Sequence, residues 1–290
     1  MSEDDEAKGG AGTSLDVQAR LGEDFTTRLL SGLVMGVVAA LFTVSGAAAF
    51  SVLVVAVTLL LSWEWGRLVH GREADVVVAV HVGTAAVATV LSAVGFVGLG
   101  LLALPIGAIL ALLLSLGRNG FYSALGVFYA GLPAISLIWL RSDPVLGLNA
   151  VIFVILAVIV SDTAGFLIGR LVGGPKLWPR ISPNKTWSGS VGAIVATAVV
   201  AAMFWLAVPG GSPLHLAAAG ALLSVVAQVG DLAESALKRR FGAKDSGSLI
   251  PGHGGVMDRV DGLVAAAAAV ALAGFVINVH SPAQALLLGS

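Results

Sequence analysis

Carboxylates stand in this chain where carboxylates are costly. Asp162 lies in VIVSDTAGFLIGR, and Asp231 and Glu234 lie in AQVGDLAESALKRR, each at the end of a long apolar run. Acids within such runs mark function by default. The densest chemistry follows directly, in SALKRRFGAKDSGSLIPGHGGVMDRVDG, Ser235 to Gly262. These 28 residues hold five of the 16 Lys/Arg and three of the 17 Asp/Glu. Lys238, Arg239, Lys244 and Arg259 alternate there with Asp245, Asp258 and Asp261, around a Pro-Gly-His-Gly-Gly turn that contains His253, Gly254 and Gly255. Oxygen donors of this kind suit Mg²⁺, which takes one or two carboxylates and leaves its other positions to phosphates and water. The basic side chains and the glycine backbone would hold those phosphates.

Each acid also has a plainer reading. Asp162 could pair with Arg170, two turns further along a helix. Glu234 shares a helix face with Asp231 and stands four residues before Lys238, so it is a metal ligand, an orienting group or an ion-pair partner. Asp258 and Asp261, spaced i, i+3, suit a helix N-terminus electrostatically.

A second basic segment, residues 169–187, carries Lys176, Arg180 and the turn Ser182-Pro183-Asn184-Lys185-Thr186. Its hydroxyls and ammonium could bind a phosphate. A basic juxtamembrane loop can equally attract anionic headgroups. Trp178, Trp187 and Phe241 could stack on a base or anchor the chain at an interface. Glu64, in Trp63-Glu64-Trp65, carries less weight as a site residue. There is no cysteine, so disulfides and thiolate metal sites are excluded. Neither a Gly-Lys-Ser/Thr phosphate loop nor a dinucleotide fingerprint is present.

The elements that must position these groups are membrane spans. The chain is 57% hydrophobic and 11% charged, with a mean hydropathy of +0.96, whereas a water-soluble domain carries about 25% charged residues. A spanning helix needs about 20 mostly apolar residues. The run from Leu29 to Trp63 suits two helices broken near Ser45-Gly46. Further spans are expected at Ala74–Phe96, Leu99–Leu116, Phe121–Leu140, Leu146–Ile168, Ser188–Val208, Leu214–Leu237 and Leu263–Val279. The expectation is an all-α polytopic membrane protein of about nine transmembrane helices. Phe121–Leu140 is the weakest of the later spans because it holds Gly126, Gly131 and Pro133. With the N-terminus in the cytosol, fifteen of the 16 basic residues fall on the cytosolic side and only Arg141 outside, as the positive-inside rule asks. The C-terminus is then outside, and both basic loops share the cytosolic face. Residues 1–27 read as a disordered cytosolic tail without a cleavable signal peptide. Residues 28–290 read as one membrane domain with a catalytic region at about 161–262.

The motifs resemble a known family. Ser235-Ala-Leu-Lys238-Arg239, Lys244-Asp245-Ser-Gly and Pro251-Gly-His253-Gly-Gly-Val-Met-Asp258-Arg259-Val-Asp261 look like the signature of the phosphatidate cytidylyltransferases, or CDP-diglyceride synthases. Ser161-Asp162-Thr163-Ala164, Gly169-Arg170, Ser182-Pro183-Asn184-Lys185-Thr186 and Gly230-Asp231 support it. The resemblance covers about Ser161 to Gly262. The family's aromatic after Asp-x-x-Ala is displaced here, with Gly165 first and Phe166 next.

The resemblance implies a Mg²⁺-dependent enzyme, with a second cation as an option, that joins CTP to phosphatidic acid and releases pyrophosphate. It implies Asp231 and Asp258 as the metal pair, with Glu234 a further candidate. Lys238, Arg239, Lys244 and Arg259 would hold the triphosphate. Ser182, Asn184, Lys185 and Thr186 would bind a phosphate of either CTP or the lipid, and His253, Gly254 and Gly255 would line the phosphate site. Asp162, Asp245 and Asp261 would support it. It further implies a bacterial inner-membrane setting, a homodimer and no nucleic-acid partner. A secondary transporter would also bear intramembrane acids, but nearer the bilayer midplane and with an inverted repeat. A CDP-alcohol phosphotransferase would need two Asp-rich runs that are absent. A lipid-binding scaffold would leave Asp231 and Asp258 without a role.

Overall fold

The computed structural model of the chain describes residues 30–71, 75–115, 119–247, 249–250 and 254–290. The expected N-terminal tail lies outside them, as does His253. Long helices dominate because backbone polar groups in lipid must be satisfied within the segment. They are α1 (Leu30–Val44), α2 (Ala47–His70), α3 (Val76–Ala93), α4 (Val97–Leu114), α5 (Gly120–Arg141), α6 (Gly147–Val172), α7 (Trp187–Met203), α8 (Pro213–Arg240) and α9 (Met257–Ile277). A one-turn 3-10 segment, Phe204–Ala207, extends α7, and a short α10 (Pro282–Leu288) follows α9.

Among the described residues, 8 helices, α2 to α9 with the extension of α7, are long and apolar enough to cross a bilayer. The chain is therefore a multi-span membrane protein. The ninth expected span, α1, is described only over Leu30–Val44, short of the length a crossing needs. The break expected near Ser45-Gly46 is present: Gly46 takes φ 116°, a backbone that other residues rarely adopt.

Two elements depart from the expectation. Segment 169–187 begins in the last turn of α6 and then forms an antiparallel hairpin, β1 (Lys176–Trp178) and β2 (Ser182–Thr186), paired Lys176 with Thr186 and Trp178 with Ser182. Its strands are too short and too polar to show an alternating pattern. The stretch after Val279 holds α10, whose Pro282, Ala283, Ala285, Leu286 and Leu287 are buried. It is too short to register as a span.

Helix α5, expected to be the weakest of the later spans, is continuous and the most enclosed of the eight. Of its most apolar window 61% is buried, against 17% for α7. Its glycines are contact points rather than breaks. A Cβ on Gly126 would lie 2.2 Å from Trp65, and one on Gly131 would lie 2.4 Å from Leu104. Small residues of this kind let helices approach closely where lipid supplies no hydrophobic drive between them. Around α5 the core falls into three clusters. One joins α3, α4 and α5 through Leu104, Val127 and Ile135. The largest joins α2, α5, α6, α8, α9 and α10 through Phe50, Phe153, Leu216 and Val270. The third joins α2, α5, α8 and α9 through Leu61, Trp65, Leu237 and Met257. This third cluster is the floor of the site.

Candidate active site

The candidate residues gather where the C-terminal ends of α2, α6 and α8 meet the hairpin and the N-terminus of α9. Close helix packing brings α8 to α9: a Cβ on Gly230 would lie 2.4 Å from the Ala265 Cβ. The residue after this glycine is Asp231. The α6–α7 contact is equally tight, since a Cβ on Gly189 would lie 2.5 Å from the Gly165 carbonyl oxygen. Gly165 thus faces α7, while the displaced Phe166 is exposed.

Two knots of charge result. In the first, the Lys185 ammonium on β2 pairs with Asp231 Oδ2. Asp231 Oδ1 has a long contact, 3.4 Å, from the Ser235 hydroxyl. Asp162 on α6 and Asp261 on α9 lie within electrostatic range of Asp231 and Lys185. Carboxyl groups from three helices therefore share the electrostatic surroundings of one ammonium. Lys185 and Asp231 keep 27% and 28% of their side chains exposed, so this knot is open. Among the described residues Asp162 forms no ion pair with Arg170.

The second knot is closed. Lys238 Nζ lies 2.7 Å from Asp258 Oδ1 and 3.0 Å from Glu234 Oε1. Glu234 Oε1 is buried, and the Lys238 ammonium is what compensates its charge. Of the roles open to Glu234, its i+4 pairing with Lys238 is realised. Asp258 Oδ2 accepts from the Ser246 N–H, the Ser246 hydroxyl and the Gly255 N–H, each at 2.9 Å. The Ser246 N–H also reaches Oδ1, at 3.2 Å. Asp258 thus ties Ser246 and Gly255 to the start of α9. Gly254 allows that turn with φ 84°, and a Cβ there would crowd Asp258 Oδ2 at 2.9 Å. Tyr129 on α5 donates its hydroxyl to Glu234 Oε2 at 3.5 Å.

The other expected residues are placed as follows. Thr186 is buried, and its hydroxyl caps α7 by accepting the Gly189 N–H at 3.2 Å. Asn184 is exposed and Ser182 half-buried, both on β2. Arg239, Lys244, Asp245 and Arg259 are exposed around the second knot. Trp178 and Trp187 are exposed beside the hairpin, while the Phe241 ring packs edge-on against Tyr122 at 5.2 Å. Sequence reasoning missed Ser246, Tyr129 and Arg240 and undervalued Glu64. Ser246 belongs to the Lys-Asp-Ser-Gly motif, so its signal was in view. Arg240 stands in the same basic run as Lys238 and Arg239 and was in view too, whereas Tyr129 carried no signal.

A cleft of about 620 Å³ opens beside both knots. Its walls are Trp65, Tyr122, Leu125, Phe128, Tyr129, Pro133, Val264 and Ala265, and its charged margin is Glu234, Arg240 and Asp261. Leu125 and Phe128 on α5 line the cleft and are exposed, so it is open at that wall. An apolar channel that ends on ionic groups fits a ligand with a long apolar body and a charged head.

Among the described residues no group of three or more Asp, Glu or His is arranged to hold a metal. Mg²⁺ needs no such cage, since one or two carboxylates and substrate phosphates suffice. The donor set fits a hard cation at Asp231, which is partly exposed, whereas both oxygens of Asp258 already accept from Lys238, Ser246 and Gly255, so a cation there would have to displace the Lys238 ammonium. Asp231 Oδ2 and Asp258 Oδ1 each carry a lysine ammonium, so each already attracts positive charge.

Fold and site together define a multi-span membrane protein with an acid-rich cluster of charged side chains at one end of its helices. The sequence profile of the Cytidylyltransferase family matches residues 26–277, and the chain belongs to that family. It is 41% identical over 254 residues to the phosphatidate cytidylyltransferase of Brucella suis biovar 1 (strain 1330), covering 86% of this chain and 92% of that one. The phosphatidate cytidylyltransferase of Brucella melitensis biotype 1 is 40% identical over 255 residues, again 86% of this chain and 92% of the relative. That of Bacillus subtilis (strain 168) is 39% identical over 141 residues, 48% of this chain and 52% of the relative. Membership supports a cytidylyltransferase-type reaction in phospholipid biosynthesis.

Proposed function

We propose that this chain transfers the cytidylyl group of CTP to phosphatidic acid, forming CDP-diacylglycerol and pyrophosphate. The observation that carries the reading is the apolar cleft whose charged margin is Glu234 and Arg240 of α8 and Asp261 of α9. Diacyl chains fit the cleft, and a phosphate head then lies beside Arg240 and the two knots. The lipid phosphate is already an anionic nucleophile, so no cysteine or serine nucleophile is needed. One of its oxygens bonds to the α-phosphorus of CTP. The bond from that phosphorus to the oxygen bridging to the β-phosphate breaks, and pyrophosphate carries the electron pair away.

Two anions must meet, so the protein's task is to position them and balance charge. Mg²⁺ held by Asp231 and Asp258 would neutralise phosphate oxygens. Glu234 remains a further candidate ligand, and a second cation is compatible with the carboxylate excess. Lys238, Arg239, Lys244 and Arg259 hold the triphosphate and the leaving pyrophosphate. Ser182, Asn184 and Lys185 of the hairpin bind a further phosphate. Thr186 fixes their strand to α7, and Asp162 and Asp261 order the ammonium of Lys185. Asp245 and the Gly254-Gly255 turn, with His253, frame the phosphate site.

We place this site on the cytosolic side of a bacterial inner membrane, with the N-terminus inside and the C-terminus outside. The asymmetry of basic residues supports that orientation, and cytosolic CTP requires it. The catalytic region is then about 161–262 within one membrane domain, and a homodimer is the assembly we expect. The test is purified protein in mixed micelles with Mg²⁺, α-labelled CTP and phosphatidic acid. Labelled CDP-lipid and pyrophosphate in equal amounts support the reading. Absence of both with active lipid present contradicts it.

A further inference from the structure

Glu64 is fully buried, on a helix far in sequence from the residues it touches. Its Oε1 accepts the Val256 N–H at 2.8 Å, and its Oε2 accepts the Met257 N–H at 2.7 Å. The Ser246 hydroxyl shares its proton between Glu64 Oε2 at 3.3 Å and Asp258 Oδ2 at 2.9 Å. A helix N-terminus leaves its first N–H groups without partners. Val256, at the start of α9, offers no side-chain cap. Glu64 supplies the cap from α2, where the dipole of α9 also favours an acidic group.

The glycines of the signature fit around this side chain. A Cβ on Gly255 would lie 2.7 Å from both Glu64 oxygens and 2.1 Å from Ser246 Oγ, and one on Gly247 would lie 3.0 Å from Glu64 Oε1. The close approach at Gly255 is therefore made to Glu64. Glu64 is itself held on a fixed support, because the neighbouring Trp65 donates its ring N–H to the Tyr122 carbonyl at 2.9 Å and packs on Tyr129.

We propose that Glu64 is the positioning residue of this site: a buried carboxyl group on α2 that sets the start of α9 and, through Ser246, the orientation of Asp258. It touches neither substrate. Its kinetic consequence rests on the function proposed above. Its structural consequence does not.

The experiment compares Glu64→Gln, Glu64→Asp and Ser246→Ala with wild type in micelles. Hydrogen–deuterium exchange is read over residues 243–258 with and without Mg²⁺ and CTP, and initial rates are taken over Mg²⁺, CTP and phosphatidic acid. Glutamine presents one acceptor oxygen, so one of the two N–H groups loses its partner. Faster exchange in that segment is expected for Glu64→Gln, together with loss of the protection that Mg²⁺ and CTP confer on wild type. The Mg²⁺ requirement should rise and kcat should fall by about 10- to 100-fold, the usual effect of removing a supporting partner behind a ligand. KM for phosphatidic acid stays unchanged, because the cleft is untouched. Glu64→Asp restores part of the loss. Ser246→Ala, which keeps both backbone caps, shifts the same quantities less.

Wild-type exchange in Glu64→Gln overturns the inference. So does faster exchange with an unaltered Mg²⁺ requirement and kcat, which is what a purely structural cap would give. Should Glu64→Gln fail to fold, Glu64→Asp and Ser246→Ala carry the same comparison. A wild type that makes no CDP-lipid would refute the proposed reaction alone, and the exchange result would still decide the role of Glu64.

Discussion

The knots around Asp231 and Asp258 use the same chemistry, a carboxylate against a lysine ammonium, in opposite surroundings. Asp231 and Lys185 keep more than a quarter of their side chains exposed. The side chains of Asp258 and Lys238 are 7% and 14% exposed, and a serine and a glycine backbone enclose the aspartate further. The open knot joins a hairpin to a helix, and its partners can exchange for a ligand with little else moving. The closed knot joins α8, Ser246, Gly255 and α9, so any change there is also a change of fold. Residue type alone does not separate a group that binds from a group that organises. The number of donors already spent on it does.

The largest effect that can break this comparison is Lys238→Met. It leaves Glu234 and Asp258 buried without their cation, and removing one partner of a buried pair costs about 3–5 kcal/mol. We expect a clear loss of thermal stability together with loss of turnover, read by melting curves and the CDP-lipid assay. Lys185→Met should behave differently. Its ion pair is half-exposed and contributes about 0–1 kcal/mol to stability, so melting stays near wild type. Turnover falls roughly 100-fold if Lys185 stabilises phosphate charge in the transition state. Equal melting losses in the two variants would erase the distinction between the knots.

Ala233→Trp sharpens the role of the cleft. Ala233 lines it and is exposed, so a large ring can enter without crowding the core. KM for phosphatidic acid should rise about tenfold, on the scale of a lost apolar contact in a pocket, with KM for CTP unchanged.

The smallest effect lies at the far end of the bundle. Burial pushes the Asp143 carboxyl up, but hydrogen bonds from the Leu146 N–H, the Ser281 hydroxyl and the Val145 N–H outweigh it and hold it below the usual carboxylate range. A lowered folded pKa means stability that is present above the unfolded value, about 3.9 for aspartate, and lost as pH falls through the folded one. Asp143→Asn should therefore melt slightly earlier than wild type at pH 7, and the difference should vanish in acid.

Much of the fold was legible because lipid imposes one rule on every span. The break at Ser45-Gly46 and the ends of α6 and α8 follow from apolar run length and turn residues. The family signature exposed the two aspartates at the centre of the knots. The hairpin was not legible, since the four polar residues and one proline of β2 carry no periodic signal. Nor was the weight of Glu64. It meets Ser246 across 182 residues of sequence and Met257 across 193, and no local pattern announces a cap supplied from another helix. The glycine of Gly255 was read as room for a phosphate, whereas the space beside its Cα holds the Glu64 carboxyl group.

The central claim, one exchangeable knot and one organising knot, is tested most directly by measuring CDP-lipid formation and melting temperature together on Asp231→Asn and Asp258→Asn. Both should lose roughly 100-fold or more in turnover, as expected for groups that hold transition-state charge. Only Asp258→Asn should also melt well below wild type. Undiminished turnover in either variant, or an equal fall in melting temperature in both, would contradict the account.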